Sequence, residues 1–288
     1  GAFFAPISLE NTETGWTSPW TLTPSAINSW VGEEMRTIGG EGSVEWRGQA
    51  RTLSLTAAAF GWNDPSGILL ADRGWSLNDR PTGFADHLKI PDANPLRRHL
   101  PVPARTLMFT EIDNKIGWYA GASWDETGVG KIQLLRYDNE ANPEKIRTQV
   151  AWETSFWSAG AQTQIGNVTL LAQGMTGETY IEPSPFFESE TYFDSAYLLA
   201  GWSMSEEWRL AGRYDYFATE EEHTGGKLPL SEHGSAYTFA VNYLPNDWLR
   251  VTAELLHIDS TRTQRMVTGG DPKSHETQFQ ISLRAYLP

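Results

Sequence analysis

The 288-residue chain sets 22 Lys and Arg against 36 Asp and Glu, a formal charge of −14. This excludes nucleic acid as a partner, because such binding needs clustered basic side chains to displace counterions. It has no cysteine, which excludes disulfides and thiolate metal sites and suits a chain that crosses an oxidising periplasm. No apolar run reaches the roughly 18 residues of a transmembrane helix, but a transmembrane β-barrel stays open, because its strands alternate apolar with polar positions.

In chain order, "GAFFAPISL" opens as a strand over residues 1–9, so either a leader has been removed or the chain begins partway through a longer protein. The connection 10–41 contains "TPSAINSWVGEEMR", where Ser25 is placed to cap a short helix from Ala26 to Arg36. A hairpin over 42–48 and 51–62 follows, with Leu53, Leu55 and Ala57 opposing Thr52, Ser54 and Thr56. The connection 63–116 is rich in proline and in paired charges: Asp72-Arg73, Asp79-Arg80, and Arg97, Arg98 and His99. A loop this long is either a cap or a segment folded into the lumen as a constriction.

From residue 117 the pattern becomes strand, short turn, strand, long loop. Strands near 117–125 and 130–138 flank "ETGVG", those near 147–163 and 167–178 flank "IGN", and those near 195–204 and 208–218 flank "SEE". The next pair flanks "PND", with Tyr237, Phe239, Val241 and Tyr243 apolar on one strand and Leu249, Val251, Ala253 and Leu255 on the other. Long polar connections lie at 138–147, 179–194, 219–234 and 260–275. The last strand carries Phe279, Ile281, Leu283, Ala285 and Leu287 opposite Gln278, Gln280, Ser282, Arg284 and Tyr286. Sorting short turns to one end and long loops to the other is the habit of an up-and-down antiparallel transmembrane β-barrel, here of about twelve strands in a single domain over 1–288.

If the apolar rows face lipid, the opposite rows face the lumen. They hold Glu45, Arg47, Glu153, Arg209, Arg213, Asp215, Arg250, Glu254 and Arg284, with Arg73, Arg80, Arg97 and Arg98 added by an infolded loop. Opposed acidic and basic walls order water and select polar solutes. The four strand arginines hint at anions, since guanidinium keeps its charge and grips carboxylate or phosphate; pairing of these charges with one another is the plain alternative. Trp118, Trp124, Trp152, Trp202, Trp208, Tyr243 and Trp248 lie at or near strand ends, as membrane-interface girdles require. Trp16, Trp20, Trp30, Trp62 and Trp75 lie in or beside the two long connections, to pack a cap or stack on a sugar ring.

Catalytic readings do poorly. The six histidines are scattered without ligand spacing, and no nucleophile-elbow motif occurs. No catalytic residue, metal site or cofactor is expected.

Alternating strands, alternating short and long connections, aromatics near strand ends and a final β-strand resemble the porin-like barrels of the Gram-negative outer membrane. The stretch "FFAPISLENTETGWTSPWTLTPSAINSWVGEE" is similar to a segment of a poorly described proteobacterial porin-like group, in which further strands come before this point. The resemblance implies an outer-membrane location, contact with membrane lipid and lipopolysaccharide, and a barrel of more than twelve strands. The chain departs from it by ending Tyr286-Leu287-Pro288 rather than on an aromatic residue. The expected function is a channel for passive diffusion of small polar solutes. Alternatives are a specific uptake channel for anionic or sugar-like nutrients, a non-conducting barrel in an envelope complex, and a secreted soluble β-sandwich that binds or hydrolyses carbohydrate. A homo-oligomer or an envelope partner fits any of the barrel readings.

Overall fold

A computed structural model describes residues 1–90, 104–224 and 230–286. In chain order it forms β1 (Ala2–Phe4), α1 (Ala26–Glu34), β2 (Arg36–Arg47), β3 (Arg51–Gly61), α2 (Ile68–Arg73), the two-residue β4 (Leu88–Lys89) and β5 (Arg105–Thr106), β6 (Gly117–Glu126) and β7 (Gly130–Asp138). There follow β8 (Glu153–Ile165), β9 (Val168–Ser184), β10 (Phe187–Ser203), β11 (Trp208–His223), β12 (Leu230–Asn246), β13 (Leu249–Arg262) and β14 (Lys273–Ala285). β4 and β5 pair with each other, and the other twelve strands form one antiparallel meander in chain order, β1-β2-β3-β6 through β14.

Residues directly opposite in an antiparallel ladder share a face, so the register sorts the wall. One row runs Ala58, Tyr119, Tyr137, Phe156, Gly177, Phe193, Thr219, Glu232, Arg262 across nine neighbouring strands. All of them but the half-buried Gly177 are buried, so this face looks inward. The other face carries Phe239, Leu255 and Phe279 in register, with Ile281 and Leu283 beyond them, all exposed. Apolar residues exposed in rows on a sheet are what lipid contact requires, and they rule out the soluble sandwich. β9, β10 and β12 have 17 residues each, more than the ~9–11 that cross a bilayer, so they project beyond it.

These long strands correct the loop reading. The expected connection 179–194 is mostly ladder, with only residues 185–186 between β9 and β10, and 260–275 is shortened to a 3-10 turn at Thr263–Thr268 and its flanks. The opening strand is also shorter than expected. Only Ala2–Phe4 pairs with β2; from Ala5 the chain turns inward, burying Ala5, Ile7 and Leu9.

Two inserts fill much of the lumen. Residues 5–35 form a first insert and residues 63–82 a second. Trp30 of α1 packs on Trp75, Phe156 and Phe193 at centroid distances of 5.9, 5.5 and 5.0 Å, all within one buried cluster. Where the inserts approach the wall, the wall gives way: a side chain at Gly201 would meet the Trp20 ring at 2.4 Å. Ser25 caps α1 by accepting from the Asn28 N–H at 3.3 Å, and the helix ends at Glu34, two residues before the expected Arg36. The twelve strands wrap these inserts, yet among the described residues β14 pairs only with β13, and β2 beyond Gly39 pairs only with β3.

Candidate functional site: the lumen and its inserts

The inner wall holds the first insert by its backbone. Side chains projecting from alternate positions of a strand reach the lumen at regular intervals, and an extended segment without secondary structure has free N–H and C=O groups for them to meet. The Ile7 carbonyl accepts from Gln133 and Gln173. The Ser18 carbonyl accepts from Arg250 at 3.2 Å and the Trp20 carbonyl from Asn242 at 2.9 Å. Glu254, on β13, accepts the Leu22 and Thr23 N–H groups at 2.6 and 2.9 Å.

Arg213 is the centre of this arrangement. Its side chain is fully buried; Nε donates to Asp215 at 2.7 Å, and the two terminal nitrogens donate to Glu10, Thr21, the Thr23 and Pro24 carbonyls and Thr238. Asp215 in turn accepts the Ala26 N–H at 3.2 Å, at the first turn of α1. A second knot forms around Glu13, which meets Arg250 at 2.9 Å, Arg284 at 3.6 Å and the Tyr286 hydroxyl at 2.9 Å. Burying charges is costly unless they are paired and hydrogen-bonded, and here they are both.

The second insert is held from two sides. Glu34 accepts the Gly67 and Leu70 N–H groups at 2.5 and 2.9 Å, capping α2, whose own N-cap Gly67 has no side chain to do so. Burial pushes the Glu34 carboxyl up to about 8, against the pull of Arg73 and these N–H groups. Trp75 donates its backbone N–H to Glu232 at 2.8 Å and its indole N–H to the Ala218 carbonyl at 2.9 Å. Gly74 is required where this chain runs against the inner wall: its φ is +78°, and a Cβ would lie 2.0 Å from the Glu232 carboxylate.

Of the residues singled out from sequence, Arg213, Asp215, Arg250 and Glu254 sit together on the inner face but are covered by the first insert. Arg284 is partly exposed beside Thr17, and Arg209 reaches over the Trp20 ring at 6.0 Å. Arg73 is bound to Glu33, and Arg80 lies exposed, 3.4 Å from Asp86. Arg97 and Arg98, with His99, fall outside the described residues.

Two expectations are corrected. Glu153 is opposite Tyr180, which is opposite Glu190; the register puts all three on the outer face, one residue out of step with inward Thr154. Trp152 is fully buried among Ile68, Val150 and Ile181 and so lies in no interface girdle. Trp118, Trp202, Trp208 and Trp248 are exposed, and Trp124 and Tyr243 partly so; Trp208 and Tyr243 contact each other at 4.6 Å.

Glu10, Glu13 and the Trp30–Phe156–Phe193 cluster were not anticipated. A signal existed: β10 is apolar on both faces, with Phe193, Tyr197 and Leu199 inward and Tyr192, Leu198 and Trp202 outward. Strands apolar on both sides are covered on both sides. At the loop end, Asp64, Glu111 and Asp113 bring carboxylate oxygens within 4.8 Å of one another. Burial and these two neighbouring acids push Asp64 up to about 7, so it holds a proton readily, against the N–H groups it accepts from Ile112 and Asp113.

The family model of the phosphate-selective porins O and P matches residues 133–283, more than half of the chain. No curated protein gives a significant match. Among solved structures, in-vitro folded OmpT, an outer membrane protein of Vibrio cholerae, aligns with TM-score 0.54 and 13% identity over 100% of this chain and 75% of that one. A loop L8 deletion mutant of OmpT gives 0.45 and 15% over 88% and 92%, and a trimer form of OmpT gives 0.41 and 14% over the same shares. The meander of twelve antiparallel strands is thus a porin barrel fold, and the chain belongs to the phosphate-selective porin O and P family, as a non-enzymatic channel of the outer membrane.

Proposed function

We propose that the protein passes small polar solutes by passive diffusion through a narrowed, off-centre path. One observation carries this reading: the inserts cover the inner face of β8 to β13, while the polar inner row of the first strands keeps its access to water. That row includes Thr52, Ser54 and Thr56 on β3 and Ser123 and Asp125 on β6, all partly or fully exposed. Glu41, Glu45 and Arg47 continue it on β2, with Glu45 and Arg47 paired.

Both signs of charge face this path, which suits weak selectivity among polar solutes. The phosphate preference in the family's name finds little support in Arg213 and Arg250 of the wall, because both are buried under the first insert and already paired with Glu10, Asp215, Glu13 and insert carbonyls. The second insert, over 63–82, narrows the loop end. The outer apolar rows meet membrane lipid and lipopolysaccharide, with the exposed tryptophans at the two interfaces. Assembly into a homo-oligomer is compatible with this arrangement.

The native chain lacks cysteine, so single cysteines report cleanly. In planar bilayers, a charged thiol reagent is expected to reduce single-channel current through Ser54→Cys and Ser123→Cys, and to leave Thr238→Cys, buried under the first insert, unchanged. Unaltered current through both exposed variants would overturn the path. Absence of any channel would leave a structural barrel in its place.

A further inference from the structure

On the outer face, just beyond the lipid-facing pair Leu255 and Phe279, the ladder of β13 and β14 gathers two histidines around one carboxylate. His257 and Asp259 are alternate residues of β13 and share the side of Leu255, and His275 lies directly opposite Asp259 on β14. Nε2 of His257 is 3.4 Å from Oδ2 of Asp259, and Nδ1 of His275 contacts Oδ1. No ligand spacing marks this group in the sequence, because Asp259 and His275 are 16 positions apart. All three side chains are open to solvent: His257 is 42% exposed, Asp259 41% and His275 70%.

The donor set selects its ligand. A carboxylate between two imidazoles opposes an anion, whereas all three groups ligate a divalent ion such as zinc. Ligand atoms about 2.0–2.1 Å from a tetrahedral ion lie about 3.3 Å from one another. The 3.4 Å between His257 and Asp259, long for a hydrogen bond, is close to one edge of such a site. His275 approaches the other oxygen of the same carboxylate and, as the most exposed of the three, has room to turn onto the ion. Two bases share this face. His233 is exposed one strand away, opposite Thr261, and Lys273 is exposed beyond His275, its ammonium on a flexible stem that keeps it in water. We infer that His257, Asp259 and His275 bind a zinc-type divalent ion on the outer surface, with a fourth position open to water. The ion ties β14 to β13, the only strand with which β14 pairs among the described residues. The inference needs neither conduction nor the proposed path.

Calorimetry with zinc chloride on the full, tag-free chain folded in detergent tests it. Zinc is expected to bind saturably and to keep its affinity in excess calcium or magnesium, which prefer all-oxygen sites. Asp259→Asn and His275→Gln are each expected to weaken zinc by about tenfold or more, with heat-modifiable electrophoretic migration reporting that the barrel is folded. Asp64→Asn, in the separate carboxylate group with Glu111 and Asp113, is expected to leave the affinity unchanged. On the unaltered chain, zinc is expected to shield His257 and His275, but not the exposed His87, from diethyl pyrocarbonate, as read by mass spectrometry. Any of four results overturns the site: no saturable binding, displacement by calcium, an affinity that follows Asp64 rather than Asp259 and His275, or equal modification of the three histidines with and without zinc. The last of these is read on the unaltered chain, whatever the variants do.

Discussion

Arg213 shows how one residue can carry two incompatible readings. As a pore-lining cation, its removal lowers anion preference and leaves the bore unchanged. As the anchor the geometry describes, it joins β11 to Glu10, Thr21, Thr23 and Pro24 of the first insert. Removing one partner of a buried pair leaves the other charges uncompensated and costs about 3–5 kcal/mol. Arg213→Met is therefore expected to loosen residues 7–24, raising both single-channel conductance and cleavage of this segment by added protease. Unchanged conductance with a shifted reversal potential would return Arg213 to the pore wall. The sequence shows the arginine and its inward parity, because alternation is local. It cannot show Glu10, which lies 203 positions away in the chain.

At the scale of elements, α1 and α2 are joined through Glu34, and the joint is sensitive to pH. Its folded value near 8 lies above the ordinary 4.5, so the folded state binds the extra proton. Stability of the joint is complete below about 4.5, declines as pH rises toward 8 and is flat above that, a loss on the order of a few kcal/mol. Asp64, near 7, adds a slope of the same sign that ends earlier. Proteolysis within 63–82 is expected to be markedly faster at pH 8.5 than at pH 5.5, and Glu34→Gln to remove most of that difference. Equal rates at the two pH values in the unaltered chain would show that Glu34 is not strained by burial. The helix was legible from Ser25 and the run after it, since a cap is a local signal. The infolding was not, because an insert's apolar residues read alike whether they cover a barrel from above or fill it. Glu153 failed for a related reason: its parity was counted within one strand, and a register shift of one residue moves a side chain to the opposite face.

The whole sheet poses a question that no single strand does. Antiparallel alternation gave the order of the strands, but closure depends on edges. β2 and β14 both run toward the short-turn end, Arg47 leading into the 48–50 turn and Ala285 lying opposite Leu249 beside the 247–248 turn. Pairing them directly would be parallel, so an antiparallel closure places an odd number of strands between them, and β1 covers only Arg36 to Ile38 of that gap. Within hydrocarbon, unpaired N–H and C=O groups find no water, and open sheet edges do not persist there. Further strands, as the porin-like resemblance implies, or the edge of a second copy would supply the missing partners. Hydrogen exchange in membranes is then expected to protect every amide of β14 in its bilayer-crossing part, including the alternate set that β13 does not engage. Fast exchange of that alternate set would mean the edge stays open. Dilution in detergent separates the two sources: protection that persists means strands of the same chain, whereas protection lost on dilution means a neighbouring copy, since only the second depends on protein concentration.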